Sequence, residues 1–311
     1  MSQSQPLRIE NPEFGSFGTC RTINSQFLFA NNKRLEESLL ANLAKLTERH
    51  EVELYAYAIQ STHYHPLAKF PKANRASFYR DLNARAAENV RRFVPEFKGG
   101  PVFERRYSEQ VIPLDSDIED RFFYCALQAV EAGLCERISE YPGYNSFSDA
   151  ISGIKRKFKL VNWTAFNKAR KKDPKVPIKH FIEIYTLSYK RLPGYEKLSQ
   201  AEYKKLMLEK LEERRLKIVA RYKKDGHVFM TKGQLKKVKP SSYAKNPKKS
   251  KRFSKRPLVL TSCAEARRQF LEWYFSIYDW YKKACKKYLS GKVDVEFPPG
   301  TYRPPGLCNT C

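Results

Sequence analysis

Strand-like and helix-like periodicities alternate through residues 1–150, which restricts this half of the chain to a layered α+β arrangement. Arg21 to Ala30 (RTINSQFLFA) reads as a first strand, ended by Asn31-Asn32. From Lys33 to His50, Leu35, Leu39, Leu40, Leu43 and Leu46 recur at helical spacing. Val52 to His65 (VELYAYAIQSTHYH), rich in aromatic and branched residues, reads as a strand. Asn74 to Arg92 reads as a helix that Pro95 helps to end, and Gly99-Gly100-Pro101 turns the chain into a short strand or loop, Val102 to Val111. Ser116 to Leu134 is the clearest helix of this half: Ser116 and Glu119 have capping-box spacing, and Gly133 supplies the stop. The order predicts a small antiparallel or mixed sheet layered with helices.

Charge separates the second half from the first. Residues 1–150 carry 18 Lys and Arg against 20 Asp and Glu, whereas residues 151–311 carry 41 against 13. The whole excess of the +26 chain therefore lies after residue 150. Such an imbalance points to a polyanion, bound through phosphate neutralisation. Anionic membrane is the other candidate, but Tyr, Phe and Trp are interleaved with the basic residues over a long stretch, which favours nucleic acid. No apolar run approaches the roughly 17–25 residues that cross a bilayer. Seven scattered cysteines form no disulfide pattern, and the N-terminus has no secretion-signal pattern, so a reduced, cytoplasmic protein is expected.

Lys155 to Val176 reads as a basic linker with a short helix. Ser199 to Lys224 reads as a strong helix with Ser199 and Glu202 as its capping box. Gly233 to Arg256 reads as a flexible basic loop, and Cys263 to Leu289 as a helix with an apolar stripe of Phe270, Trp273, Tyr274, Ile277 and Trp280, expected to be packing core. This gives two expected domains: 1–150, and a mainly helical basic DNA-binding extension over 151–311.

Two features can carry chemistry. In His63-Tyr64-His65, at a strand end, the imidazoles share one face while Tyr64 points into the opposite layer. Two histidines on a rigid strand suit a divalent ion with open positions; ordinary hydrogen-bonded histidines would look the same. On the Ser116–Leu134 helix, Asp117, Asp120, Arg121, Tyr124, Gln128 and Glu131 form one polar stripe opposite Ile118, Phe122, Cys125, Ala126, Ala129 and Val130. Tyr124 there suits a nucleophile, with Gln128 one turn on as a metal ligand; an amphipathic surface tyrosine gives the same pattern.

Together these features resemble the single-tyrosine HUH transposases, in particular the REP-associated tyrosine transposases. The resemblance runs over roughly residues 17–150, through AYAIQSTHYHPL (Ala56–Leu67), GGPVFERRYSEQ (Gly99–Gln110), FFYCALQAVEAGL (Phe122–Leu134) and YPGYNSF (Tyr141–Phe147). The family usually has Pro-Asn before the first histidine, where this chain has Ser61-Thr62, and Asn-Pro in the helix, where it has Gln128-Ala129. The resemblance implies a ferredoxin-like HUH catalytic domain with an antiparallel sheet. It implies Tyr124 as nucleophile, with His63, His65 and Gln128 holding Mg²⁺ or Mn²⁺. The implied activity is that of a single-stranded DNA transposase and endonuclease that cleaves and rejoins strands through a 5′-phosphotyrosine, acting on hairpin DNA as a homodimer. The alternative is a non-catalytic nucleic-acid-binding regulator on the same scaffold.

Further basic residues are candidate DNA contacts: Arg105 and Arg106; Lys155, Arg156, Lys157 and Lys159, with Phe158 and Trp163 beside them for base stacking; and Lys236, Lys237, Lys239, Lys248, Lys249, Lys251 and Arg252 on the backbone. Each run also suits a merely solvated basic segment. Cys308-x-x-Cys311 has metal-like spacing but no second pair nearby.

Overall fold

The computed structural model describes residues 6–244, 256–292 and 294–305. Its strands are β1 (Gly15–Arg21), β2 (Glu53–Gln60), β3 (His63–Lys69), β4 (Ser108–Ile112), β5 (Arg156–Val161), β6 (Ile182–Leu187) and β7 (Leu258–Val259). Five of them form one sheet in the order β2-β3-β1-β4-β7, antiparallel throughout except for the parallel β4–β7 pair, and β5–β6 make a separate antiparallel hairpin. The helices are α1 (Lys33–Arg49), α2 (Arg75–Phe93), α3 (Ile118–Ala126), α4 (Gln128–Glu131), α5 (Phe147–Ser152), α6 (Trp163–Arg170), α7 (Gln200–Lys224), α8 (Lys232–Lys236) and α9 (Ala264–Leu289). The architecture is mixed α/β with an antiparallel-dominated sheet.

Strand alternation divides the core. On one sheet face Tyr57 and Tyr64 pack with Leu35, Leu39 and Leu43 of α1 and Phe78 and Leu82 of α2. On the other, Phe17 and Leu67 pack with Ile118 and Phe122 of α3 and with Tyr203, Met207 and Leu211 of α7. The anticipated buried side of the tyrosine helix, from Ile118 to Val130, is buried throughout. A third cluster sets Phe270 and Tyr274 of α9 against Ile9 and Val259. The α9 stripe is therefore packed only on one side, and Trp280 is exposed. Packing runs across the expected boundary at residue 150, since α7 shares the second core and Leu187 of β6 belongs to the first.

Several segments depart from expectation. The first strand lies earlier, and the chain after Arg21 enters a 3-10 turn over Ile23–Ser25 with Asn24 and Ser25 at φ +50° and +53°. Two glycines, Gly15 and Gly18, lower the strand signal of β1, yet Gly18 is required. A Cβ there would lie 1.9 Å from the Tyr79 hydroxyl oxygen. The single strand expected from Val52 to His65 is a hairpin turned at Ser61-Thr62, so the histidines begin its second strand instead of ending the first. The expected basic linker at 155–176 holds β5 and α6, and β5 pairs with β6 along its whole length. The described part of the expected flexible loop is pinned: Asn31 Nδ2 donates to the carbonyls of Leu235, Lys236 and Val238 around α8.

Gly18→Ala is expected to lower stability by about 1–3 kcal/mol, the usual cost of overpacking a filled core. Chemical denaturation checks this, and an unchanged midpoint would contradict the close approach of Tyr79.

Candidate active site

His63 and His65 stand on one face of β3 with ring centroids 4.6 Å apart. Tyr64, between them, is buried in the opposite layer, its hydroxyl donating to Asn83 Oδ1. The His65 ring is fixed by β1: Nδ1 lies 3.0 Å from the Gly18 carbonyl oxygen and 3.0 Å from Thr19 Oγ1. A carbonyl only accepts, so Nδ1 carries the proton and Nε2 keeps its lone pair. That Nε2 is buried without a hydrogen-bond partner. Phe17 stacks on the same ring at 4.9 Å, and His63 Nδ1 lies 2.8 Å from Thr62 Oγ1.

The expected single helix from Ser116 to Leu134 is broken at Leu127, whose ψ of 8° separates α3 from α4. The side-chain amide of Asn145 donates to the Ala126 carbonyl at 2.7 Å, taking up an acceptor at the break. In an unbroken helix, residues four apart share a face. Here Tyr124 is 38% exposed and Gln128 only 8% exposed. The Gln128 side-chain amide lies beside both imidazoles, and its Nε2 is buried without a partner. The anticipated capping box does not form, because Glu119 turns instead to Lys210 and to the Tyr195 hydroxyl.

Burial of the ring pulls the His63 pKa down to about 4; the hydrogen bond to Gln128 opposes this and the charge of Arg21 adds to it. Burial, followed by the charge of His63, holds His65 well below the usual histidine range, against the Gly18 carbonyl and Gln128. Both rings are neutral at neutral pH, as metal ligands must be. Buried polar atoms without partners are uncommon and cost roughly 1–3 kcal/mol each. The partnerless lone pair of buried His65 Nε2, with the His63 ring and the Gln128 side chain beside it, fits a cation held by His63, His65 and Gln128. Among the described residues no group of three or more His, Cys, Asp or Glu side chains could hold a metal, so a cation here would need the Gln128 amide as its third protein donor.

Tyr124 stands beside this cluster. The Phe17 ring that stacks on His65 meets the Tyr124 ring edge-on at 5.7 Å, and the Arg121 guanidinium carbon lies 5.1 Å from the Tyr124 ring centre. Helix α7 grips the acidic stripe of this segment. Lys210 Nζ lies 2.8 Å from Glu119 Oε1, Arg214 Nη2 2.8 Å from Asp120 Oδ1, and Arg221 Nη2 3.0 Å from Glu131 Oε2. Such partly exposed pairs contribute at most about 1 kcal/mol each, but together they orient the tyrosine helix on the sheet.

The other candidates lie apart. Arg105 and Arg106 line a separate cavity before β4. Arg156 turns inward to buried Asp149 at 2.5 Å, leaving Lys155, Lys157 and Lys159 exposed around β5. Phe158 packs against the first core, while Trp163 is exposed. Lys236, Lys237 and Lys239 are exposed on and after α8. Lys248, Lys249, Lys251, Arg252, Cys308 and Cys311 fall outside the described residues. Sequence reasoning missed Thr19 and Phe17, because the first strand was placed after them. It also gave Arg121 no role, although its place one turn before Tyr124 was visible.

The depressed histidine pKa values make the metal-free protein acid-sensitive. Below about pH 6.5 the unfolded chain takes up protons that folded His63 and His65 refuse, so stability falls from there towards pH 4. Urea unfolding between pH 7 and 4 is expected to show a flatter decline for His65→Gln than for wild type; equal slopes would contradict the buried neutral ring.

No protein-family model matches the sequence, and no curated protein matches it. The chain is similar to a solved structure of a REP-associated tyrosine transposase bound to a REP hairpin, with a TM-score of 0.38 and 17% identity, covering 48% of this chain and 84% of that one. A likeness of that degree assigns nothing to individual residues, and the site described above stands on its own geometry. No helix among the described residues is long and apolar enough to cross a membrane.

Proposed function

We propose that the chain is a divalent-metal-dependent strand transferase and endonuclease for single-stranded DNA, working through a tyrosine–DNA covalent intermediate. The observation that carries this reading is the convergence of two neutral imidazoles, His65 buried and His63 half-buried, and the Gln128 amide beside the exposed ring of Tyr124. Metal-binding donors next to a solvent-accessible phenol suit nucleophilic attack on a phosphodiester.

Mg²⁺ or Mn²⁺ held by His63, His65 and Gln128 would supply Lewis-acid stabilisation of charge on the scissile phosphate. Tyr124 Oη attacks phosphorus, forming a 5′-phosphotyrosine while the bond to the 3′-oxygen breaks; the proton lost by the phenol is balanced by the one the 3′-oxygen gains. Arg121 places positive charge over the Tyr124 ring. Gly18 and Thr19 keep the His65 ring in one tautomer, and the leucine kink keeps Gln128 beneath the tyrosine instead of beside it on the surface. The covalent link conserves the phosphodiester, so a second 3′-hydroxyl can reverse the step and join strands without ATP. One nucleophile per chain makes strand exchange a task for a homodimer.

The basic excess of residues 151–311 suits retention of a polyanion such as single-stranded or hairpin DNA. The same excess would serve a non-catalytic nucleic-acid-binding regulator, and covalent chemistry separates the two readings. Labelled hairpin oligonucleotides with Mg²⁺ or Mn²⁺ are expected to give an adduct on denaturing gels that Tyr124→Phe and chelator each abolish. His65→Ala is expected to lower its rate at least about 100-fold, the scale of losing charge stabilisation in a reaction centre. An adduct surviving in Tyr124→Phe would reject the nucleophile, and tight binding without any adduct would favour the regulator.

A further inference from the structure

A cavity of about 300 Å³ lies at the β4–β7 edge of the sheet, on the face opposite His63, His65 and Tyr124. None of the candidate active-site residues lines it, so its contents are separate from the chemistry at Tyr124. Most of the wall is apolar: Leu7, Phe14 and Val111 from the N-terminal segment and β4, and Leu258, Phe270 and Trp273 from β7 and α9. Phe14 meets Phe270 and Trp273 edge-on at 5.4 and 5.3 Å. Three rings at fixed mutual angles make a rigid corner that a flat apolar body can fill. Behind them Tyr274 is buried and its hydroxyl donates to the Leu7 carbonyl at 3.2 Å, which ties α9 to the N-terminal segment.

The charge around this apolar space has one sign. Among the described residues five arginines line it against one carboxylate, Glu109. Arg75 is already committed: buried, it holds Glu109 at 2.7 Å and Glu10 at 3.7 Å, and Glu109 also accepts from Ser16 Oγ at 3.0 Å. Arg8 lies 3.9 Å from the Tyr107 ring centre and donates to the Tyr107 carbonyl at 2.8 Å, and Tyr79 backs that ring at 3.9 Å. The Arg8 guanidinium is thus fixed in place, yet neither it nor exposed Arg106 forms an ion pair among the described residues. A guanidinium has five N–H donors, so Arg8 keeps donors for an anion after its bond to Tyr107.

Volume and charge together select the occupant. A space of this size is at the small end of ligand sites, with room for roughly one or two fused rings and a short acid arm. A nucleobase suits it poorly, because its amino groups would meet guanidinium donors and a carboxylate already held by Arg75 and Ser16. A cationic ligand would meet the charge of Arg8 and Arg106 at close range. We propose that the cavity binds a small aromatic carboxylate, its ring in the corner of Phe14, Phe270 and Trp273 and its carboxylate at Arg8 and Arg106. The ring buries apolar area, and the carboxylate matches the paired donors of a guanidinium. This site is independent of the DNA-processing reading and stands or falls without it. β7 pairs with β4 through only Gln110–Leu258 and Val111–Val259, so a ligand spanning the N-terminal segment and α9 steadies a lightly held edge.

Calorimetric titration of the whole chain with indole-3-acetate tests this, with uncharged indole-3-acetamide, octanoate and thymidine 5′-monophosphate as comparators. The acid is expected to bind with a Kd on the order of 0.1 mM or tighter, within reach of a ligand of its size. The amide, which lacks the charge, is expected to bind at least about tenfold more weakly. Arg8→Gln/Arg106→Gln is expected to remove the advantage of the acid and leave the amide unchanged, whereas Trp273→Leu weakens both by about fivefold or more. The arginine variant removes no core side chain, so it decides the matter even if Trp273→Leu fails to fold. Hydrogen exchange with the acid bound is expected to show protection in residues 6–14 and 257–274. Neither heat nor protection at about 5 mM acid, an amide as tight as the acid, or an advantage that survives the arginine variant would each overturn the proposal. So would protection confined to other segments. Tighter binding of octanoate would overturn the aromatic assignment, and tighter binding of thymidine 5′-monophosphate would give the cavity to a nucleotide instead.

Discussion

The Gly18 carbonyl lies 3.0 Å from the Nδ1 of His65, and the proton on that nitrogen decides which side of the imidazole keeps a lone pair. The same residue lacks the Cβ that would strike Tyr79, so β1 can also pass close to α2 in the opposite layer. Its neighbour Thr19 adds a second contact to the ring from the same strand. Because a strand alternates faces, Gly18 secures the helix layer while Phe17 and Thr19 build the site on the other face. Loosening this step of β1 would release the ring orientation, the Tyr79–Tyr107 stack and the Phe17 contact to Tyr124 together.

The basic half of the chain has two separable tasks. Part of its charge is consumed internally: Lys210, Arg214 and Arg221 on α7 neutralise Glu119, Asp120 and Glu131 of the segment that carries Tyr124 and Gln128. Arg156 is likewise bound to buried Asp149. The near-neutral first half is thus not an independent electrostatic unit, since its acidic stripe is met by α7. Exposed lysines on β5 and around α8 leave ample charge for a polyanion at the surface. Net charge alone does not distinguish these tasks; pairing geometry does.

Much of this was legible in the sequence. Alternation fixed the opposite orientations of His63–His65 and Tyr64, and helical periodicity separated Tyr124 from the buried row of Ile118, Phe122 and Cys125. The same periodicity misplaced Gln128, because it assumes an unbroken helix and the break depends on Asn145, distant in sequence. The hairpin turn at Ser61-Thr62 carries no Gly, Pro or Asn, so nothing local announced it. β1 was hidden by its glycines, whose reason is a tertiary contact with Tyr79. The β5–β6 pairing was concealed by lysines that alternate with Phe158 and Leu160 along an edge, a pattern that composition alone reads as a solvated run. The capping box at Ser199 and Glu202 was local in every respect and formed as expected.

The central claim is that His63, His65 and Gln128 make one cation site beside Tyr124. Anomalous diffraction at the manganese edge, from crystals soaked in Mn²⁺, tests it most directly. The account predicts a single strong peak within bonding distance of the two imidazole Nε2 atoms and the Gln128 amide oxygen, lost in His65→Gln. A peak elsewhere with these side chains unbound, or no peak at saturating Mn²⁺, would contradict it.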